Sequence, residues 1–247
     1  MITNIYKTYL NKLPEKSLTD KCLVLDLDET LVHSHSQGNI DLLKDLKIFQ
    51  KPNYLDLRKR IYKISMDDVV YKKGKGIQTD MWGITRPHLQ EFLISCFSYF
   101  KIVAIWSAGR KKYVNSIVDF IFRDLPRPVV IWDYDKLERL PNNTFIKPLS
   151  KMINSVPRLN KYMSLNNTFI IDDRLTVFQE PNPNNGIQIP AYKPSFNITA
   201  MRSDDIVLKQ LMRWFYKPEV MNADDVRTLN KSHIFYQPIT SKNIEVK

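Results

Sequence analysis

Four short apolar runs recur along the chain: CLVLDLD (22–28), KIVAIWS (101–107), PVVIWD (128–133) and NTFIIDD (167–173). Each has the length of a strand and shows no polar alternation, which predicts strands buried on both faces. The segments between them change period. PHLQEFLISCF sets Leu89, Phe92, Leu93, Cys96 and Phe97 at helical spacing behind Pro87, read as the first helical position. RKKYVNSIVDFIF places Tyr113, Val114, Ile117, Val118, Ile121 and Phe122 on one helical stripe. Ser203, Asp204 and Asp205 are expected to cap a later helix through Trp214. Strands alternating with helices predict an α/β fold: a Rossmann-like parallel sheet flanked by helices, with right-handed crossovers. Three of the runs close on Asp and one on Ser107. Ligands of such sheets bind beyond the carboxyl ends of the strands, so Asp26, Ser107 and Asp172–Asp173 are expected to converge.

Residues 36–85 interrupt this alternation. Extended patterns near RIYKISM and IQTDMWGIT predict a small antiparallel β insertion after the first strand, too polar for a core of its own. Its basic clusters, RKR (58–60) and KKGKG (72–76), read as solvated faces. The expected organisation is a single domain over residues 1–217, containing the insertion at about 36–85. A short helix around ADDVRTLN and an exposed tail complete the chain over 218–247.

Composition adds three constraints. Of 247 residues, 43% are hydrophobic, enough for a substantial core, which excludes global disorder. Lys and Arg number 37 against 26 Asp and Glu, a net charge of +11 that favours acidic partners. There is no apolar run of signal-peptide or transmembrane type, so the expected setting is intracellular, cytoplasmic or nuclear, with no membrane partner. Cys22 and Cys96 lie inside apolar segments and read as buried free thiols of a reducing compartment. In that setting the N-x-T triplets at Asn142, Asn166 and Asn197 are accidental. His33 and His35 do not have the spacing of a structural zinc site, and Trp82 and Trp106 read as packing residues.

The charged positions suggest phosphate chemistry. Residues i and i+2 of an extended chain face one side, so Asp26 and Asp28 present together, with the Thr30 hydroxyl close by. A carboxylate that shares Mg²⁺ with a phosphate is relieved of their mutual repulsion and can attack phosphorus, giving an aspartyl-phosphate. Asp172–Asp173 offers further oxygen ligands, and a second acid can protonate the leaving group. Lys147, set between apolar FI and Pro148, is placed to offset charge. The Ser107 hydroxyl with a neighbouring N–H is suited to a phosphoryl oxygen, while Arg110 in the same turn reads as solvated.

DLDETLVHS resembles the DxDx[TV] signature of haloacid-dehalogenase-type phosphatases, and at its full length the branch that dephosphorylates the C-terminal repeat domain of RNA polymerase II. The resemblance continues in order through RPHLQEFL, WSAGRKKYVNSIVDFIF, FIKPLS and FIIDDR, over roughly residues 20–215. It implies Asp26 as nucleophile and Mg²⁺ ligand, and Asp28 as general acid/base with its backbone carbonyl on the metal. Thr30 would orient the acids and join Ser107 and Lys147 in the phosphate-binding set. Asp173 would be a metal ligand, with Asp172 supporting the metal and lysine. Ser107 stands where the family usually has Thr, and Asp172-Asp173-Arg174 is more similar to the larger, transcription-factor-associated branch than to the small-phosphatase branch. The implied activity is Mg²⁺-dependent hydrolysis of phosphoserine or phosphothreonine in Ser-Pro-rich peptides such as the polymerase tail. Two alternatives stand beside it: a polynucleotide 3′-phosphatase of the same chemistry, which usually carries Gly at the place of Glu29, and a catalytically silent binding module of the same fold. Glu29 and LVHS favour the protein phosphatase.

Overall fold

A computed structural model describes residues 16–36, 47–71 and 75–235. In chain order the elements begin with β1 (Cys22–Leu25), β2 (Val32–Ser36), α1 (Leu55–Arg60), β3 (Ile61–Tyr71), β4 (Lys75–Thr85) and α2 (Leu89–Tyr99). Next come β5 (Ile102–Trp106), α3 (Lys111–Ile121), β6 (Val130–Trp132), β7 (Glu138–Arg139), β8 (Phe145–Ile146) and α4 (Leu149–Ser155). The last are β9 (Thr168–Asp172), β10 (Gly186–Gln188), α5 (Ile198–Arg202), α6 (Val207–Phe215) and α7 (Pro218–Met221).

The four apolar runs form β1, β5, β6 and β9 of one parallel five-stranded sheet, ordered β10-β9-β1-β5-β6. Side chains of a strand alternate between faces, and here both faces are covered. Leu23, Leu25, Val103, Ile105, Phe169 and Ile171 pack toward α2, α3 and α6. Cys22, Val24, Ala104, Trp106 and Ile170 pack toward Leu149, Met152 and Ile153 of α4. This two-sided burial is why the runs read as continuous rather than alternating. The edge strand β10 has only three residues, GIQ, and therefore leaves no apolar run to find.

Helix α2 begins at Leu89 rather than at Pro87, because His88 takes a left-handed conformation (φ 63°) ahead of it. Asp205 alone among the expected cap residues serves α6, accepting from the Val207 N–H at 3.0 Å. Ser203 ends α5, and Asp204 pairs with His88. Asn197, part of a glycosylation-like triplet, caps α5 by accepting from the Ala200 N–H at 2.8 Å. Both cysteines are buried and free.

The interruption is the expected antiparallel sheet, ordered β2-β4-β3. Its first strand, VHSHS, is too polar to stand out in the sequence. The insertion completes a small core with borrowed residues: Ile48, Leu57, Ile61, Trp82 and Ile84 cluster with Tyr192 and Met201. Arg60, read as part of a solvated RKR cluster, is half-buried and donates to the carbonyls of Thr85 and Met201 and to the Tyr192 hydroxyl. Residues 72–74 of KKGKG lie outside the described residues. Past Pro218 the chain forms α7 and a 3-10 turn at Val226–Thr228, within the expected ADDVRTLN helix. Val220, Val226 and Ile234 join the main core, so residues up to 235 pack rather than trail. Most of the expected tail lies outside the described residues. Among the described residues no helix is long and apolar enough to cross a membrane.

Candidate active site

Strand β1 ends at Leu25, and Asp26 comes at once, its N–H donating to the Ile171 carbonyl at 3.0 Å. The strand ends of β1, β5 and β9 lie side by side, so Asp26, Ser107 and Asp172 meet beyond them as the topology requires. Lys147 arrives from β8. Its backbone is clamped by Asn182, whose amide donates to the Lys147 carbonyl (2.7 Å) and accepts from the Leu149 N–H (2.9 Å). The Lys147 N–H donates to the Val177 carbonyl at 2.8 Å.

The lysine is 1% exposed, and its Nζ donates to Asp26 Oδ1 and Asp172 Oδ2, both at 2.6 Å. Burial works against its charge, yet Asp172 and Asp26 outweigh burial and hold its pKa above the usual lysine value. Burial pushes Asp26 well up from the ordinary carboxylate range, against the pull of Lys147, with Asp172 and Asp28 adding to the rise. Asp173 is half-buried and also raised, by burial first and then by Asp172 and Glu29, with Lys193 partly offsetting them. One positive charge thus serves several crowded carboxylates.

Oxygen atoms of Asp26, Asp172 and Asp173 lie within 4.8 Å of one another, a group of hard donors with more negative charge than Lys147 neutralises. That donor chemistry fits Mg²⁺, which takes carboxylate oxygens and keeps waters. Asp172, expected in support, therefore sits inside the carboxylate cluster, while the Asp28 carboxylate does not belong to it. Asp172 is itself fixed by the Arg174 N–H, 2.9 Å from Oδ1.

The Asp28 carboxylate is turned toward α3. Tyr113 donates its hydroxyl to Asp28 Oδ1, and Ser107 makes a long contact of 3.4 Å to Oδ2. Burial lifts Asp28 to about 6, against the pull of the Tyr113 hydrogen bond. A carboxyl group in that range can hold and release a proton near neutrality. Ser107 is fully buried, and its oxygen also accepts from the Gly109 N–H at 2.9 Å. Ser107 thus orients Asp28, and Ala108 rather than Ser107 lines the cavity.

That cavity, of about 190 Å³, is bounded by Asp26, Asp28, Glu29, Lys147, Asp172 and Asp173, with Ala108, Arg174 and Val177. Its volume suits a phosphoryl group rather than a drug-sized ligand. A more open cleft at Leu140, Asn142, Thr144, Thr176, Gln179 and Glu180 contains one carboxylate and no comparable convergence of charge.

A further site expectation changes. Thr30 does not line the cavity: it is fully buried, and its hydroxyl has no hydrogen-bond partner among the described residues. The reason is local. Glu29 takes a left-handed turn (φ 60°), after which Thr30, Leu31 and Val32 point inward. Glu29 faces the cavity and pairs with His33 Nδ1 at 2.9 Å. Arg110 is exposed over the Tyr134 ring and away from the cavity lining, as expected of a solvated arginine. Trp82 and Trp106 are buried packing residues.

Sequence reasoning missed Tyr113, Asn182 and Arg86. Tyr113 was hidden in an apolar helical stripe, although a buried tyrosine hydroxyl ordinarily needs a partner. Asn182 stands 35 residues from Lys147 in a segment with no periodic signal. Arg86 is 1% exposed and holds the loop after Asp28 from below, donating to the carbonyls of Thr30 and Pro190 and pairing with Asp205. Replacing Asn182 with Ala is expected to lower stability by about 2 kcal/mol, because a buried N–H and a buried carbonyl lose their partners. Urea unfolding checks it, with an unchanged midpoint contradicting the clamp.

Comparison with known proteins agrees with this geometry. The chain is 29% identical over 119 residues to Phosphatase PSR1 of Saccharomyces cerevisiae, a stretch covering 48% of this chain and 22% of that protein. It is 28% identical over 109 residues to CTD small phosphatase-like protein 1 of Caenorhabditis elegans, covering 44% and 17% respectively. The matched stretches thus span about a fifth of the length of these curated relatives. Among solved structures, Fcp1, an essential RNA polymerase II CTD phosphatase, superposes with a TM-score of 0.51 at 19% identity, covering 78% of this chain and 46% of that one. A fission yeast Fcp1 variant bound to beryllium fluoride gives the same TM-score and identity, covering 78% and 49%. These superpositions establish the haloacid-dehalogenase-type fold. The family model for NLI interacting factor-like phosphatases matches residues 21–227, and the chain belongs to that family.

Proposed function

We propose that the chain is a Mg²⁺-dependent protein serine/threonine phosphatase that works through an aspartyl-phosphate on Asp26. The observation that carries this reading is the shared lysine. Lys147 pins Asp26 and Asp172 at 2.6 Å each in a cavity that also exposes Asp28, a carboxyl group poised near pH 6. Asp26, Asp172 and Asp173 would hold the ion, with the Asp28 carbonyl as the further ligand implied by the family resemblance. When bound, Mg²⁺ would neutralise charge on the phosphate and on the carboxylates around it.

Each of the chain's own groups then has a role. Lys147 keeps the Asp26 carboxylate oriented and offsets charge building on phosphorus. An Asp26 oxygen forms a bond to phosphorus as the bond to the leaving oxygen breaks, and Asp28 delivers its proton to that oxygen. Water then attacks phosphorus, giving its proton to Asp28 as the Asp26–phosphorus link breaks. The net products are an alcohol and inorganic phosphate. Ser107 and Tyr113 aim Asp28, and Thr30 supports the loop from the interior rather than touching phosphate.

The proposed substrates are phosphorylated Ser-Pro-rich peptides, with the RNA polymerase II tail the foremost. The relatives' names support this choice, as does a net charge of +11. Buried free thiols support a reducing, intracellular setting. Domain limits of about 1–217 for the phosphatase unit are part of this reading, with the 218–235 stretch packed onto it. The test compares kcat/KM on a phosphorylated Ser-Pro heptad peptide and on a 3′-phosphorylated oligonucleotide. The peptide is expected to win by at least about tenfold, the discrimination that one or two well-placed contacts provide. Preference for the oligonucleotide, with turnover falling steeply in salt, would assign the chain to nucleic-acid repair chemistry instead.

A further inference from the structure

The Tyr113 hydroxyl that donates to Asp28 also contacts the Ser34 hydroxyl, and Ser34 in turn lies 2.6 Å from the Tyr62 hydroxyl. Each hydroxyl has one proton, and an ionised carboxylate only accepts. While Asp28 is ionised the order follows: Tyr62 donates to Ser34, Ser34 to Tyr113, and Tyr113 to Asp28. In a chain of this kind each bond polarises the next.

The insertion sheet is built to make this chain. Ser34 on β2 and Tyr62 on β3 are both directly opposite Gly83 on the middle strand β4. Strands two apart are separated by about 10 Å, so a tyrosine reaches the far strand only by lying across the middle one. Gly83 leaves that path open: a Cβ there would stand 2.2 Å from the Tyr62 hydroxyl and 2.5 Å from the His33 carbonyl. A second glycine does the same beside the active site. A Cβ on Gly109 would stand 2.4 Å from the Tyr113 ring. Tyr62, 3% exposed, and Tyr113, 5% exposed, are screened from competing water.

We propose that the antiparallel insertion positions the general acid/base: Tyr62 and Ser34 hold the Tyr113 hydroxyl on Asp28 through a directed relay across Gly83. The inference rests on the phosphatase reading, in which Asp28 protonates the leaving group. Tyr113, Ser34 and Tyr62 are positioning residues. They act on the step in which the bond from phosphorus to the leaving oxygen breaks and the Asp28 proton passes to that oxygen.

The experiment measures kcat/KM of the full chain on aryl phosphates from dinitrophenyl phosphate, whose leaving group needs no proton, to phenyl phosphate, whose leaving group does. Tyr62→Phe removes a hydroxyl that does not line the cavity and makes no hydrogen bond to Asp28 itself. It is expected to lower kcat/KM on phenyl phosphate about fivefold, the effect of one net hydrogen bond, and on dinitrophenyl phosphate less than about twofold. Vanadate inhibition should stay within about twofold of the parent. Ser34→Ala, which breaks the relay at its middle, should show the same skew and decides the matter if Tyr62→Phe does not fold. A loss equal across the series, or no loss in the folded variants, overturns the relay and leaves the phosphatase reading standing. Failure of the parent protein on every ester overturns that reading itself.

Discussion

Asp26→Asn is expected to lower turnover of a generic aryl phosphate by at least about a thousandfold while the protein stays folded. The amide has almost the shape of the carboxylate but is not a nucleophile toward phosphorus. The fold should tolerate the change, because burial already pushes Asp26 toward its uncharged form and Lys147 keeps its second partner, Asp172. Losing the Asp26 charge also relieves its repulsion with Asp172 and Asp28. The two results together separate the hypotheses. An acid-stable phosphoryl label found on the parent and missing from the variant locates the intermediate at Asp26. Beryllium or aluminium fluoride should inhibit the parent, since both mimic a phosphoryl group on a carboxylate. Undiminished turnover by the folded variant would remove Asp26 from the chemistry, whereas no turnover by the folded parent would leave the binding-module reading in its place.

The parallel sheet was legible because both of its faces are covered, which turns each strand into an unbroken apolar run. β10 and β2 were not, the first for its shortness and the second because VHSHS pairs within a partly exposed sheet. Asp26, Ser107 and Asp172 were legible for a topological reason: parallel strands end on one side of the sheet, so the polar residues closing several runs must meet. Lys147 stood out instead by its setting between apolar FI and Pro148. Side-chain direction around the DxDxT loop lay beyond reach. A spacing of two places Asp26 and Asp28 on one side of an extended chain, but the strand stops at Leu25 and the left-handed Glu29 redirects the residues after it. Asp28 consequently turns to Tyr113, Thr30 turns inward and Glu29 turns to the cavity. Asn182 and Gly83 matter through long-range contacts of backbone and hydroxyl groups, which leave no periodic trace.

Lys147→Met should affect both stability and rate, and the pairing of the two shows what the lysine does. Methionine fills a similar volume but brings no charge to offset Asp26 and Asp172, whose side chains are 8% and 1% exposed. Removing one partner of a buried ionic group costs about 3–5 kcal/mol, far more than the group's net worth, because the remaining charges stay desolvated and uncompensated. The unfolding free energy should fall by that amount, and turnover by at least about a hundredfold through loss of charge stabilisation at phosphorus. The double variant reads the electrostatic coupling between Lys147 and Asp172. Adding Asp172→Asn to Lys147→Met removes one of the bare carboxylates and should restore at least about half of the lost stability, a coupling that a double-mutant cycle reads directly. Turnover should not return with it, since neither substitution replaces the positive charge beside Asp26 and Asp172→Asn also removes a carboxylate oxygen proposed to hold the ion. Recovery of rate together with stability would mean that Lys147 serves the fold alone. A Lys147→Met protein as stable as the parent would contradict the 2.6 Å pairing on which the site is built.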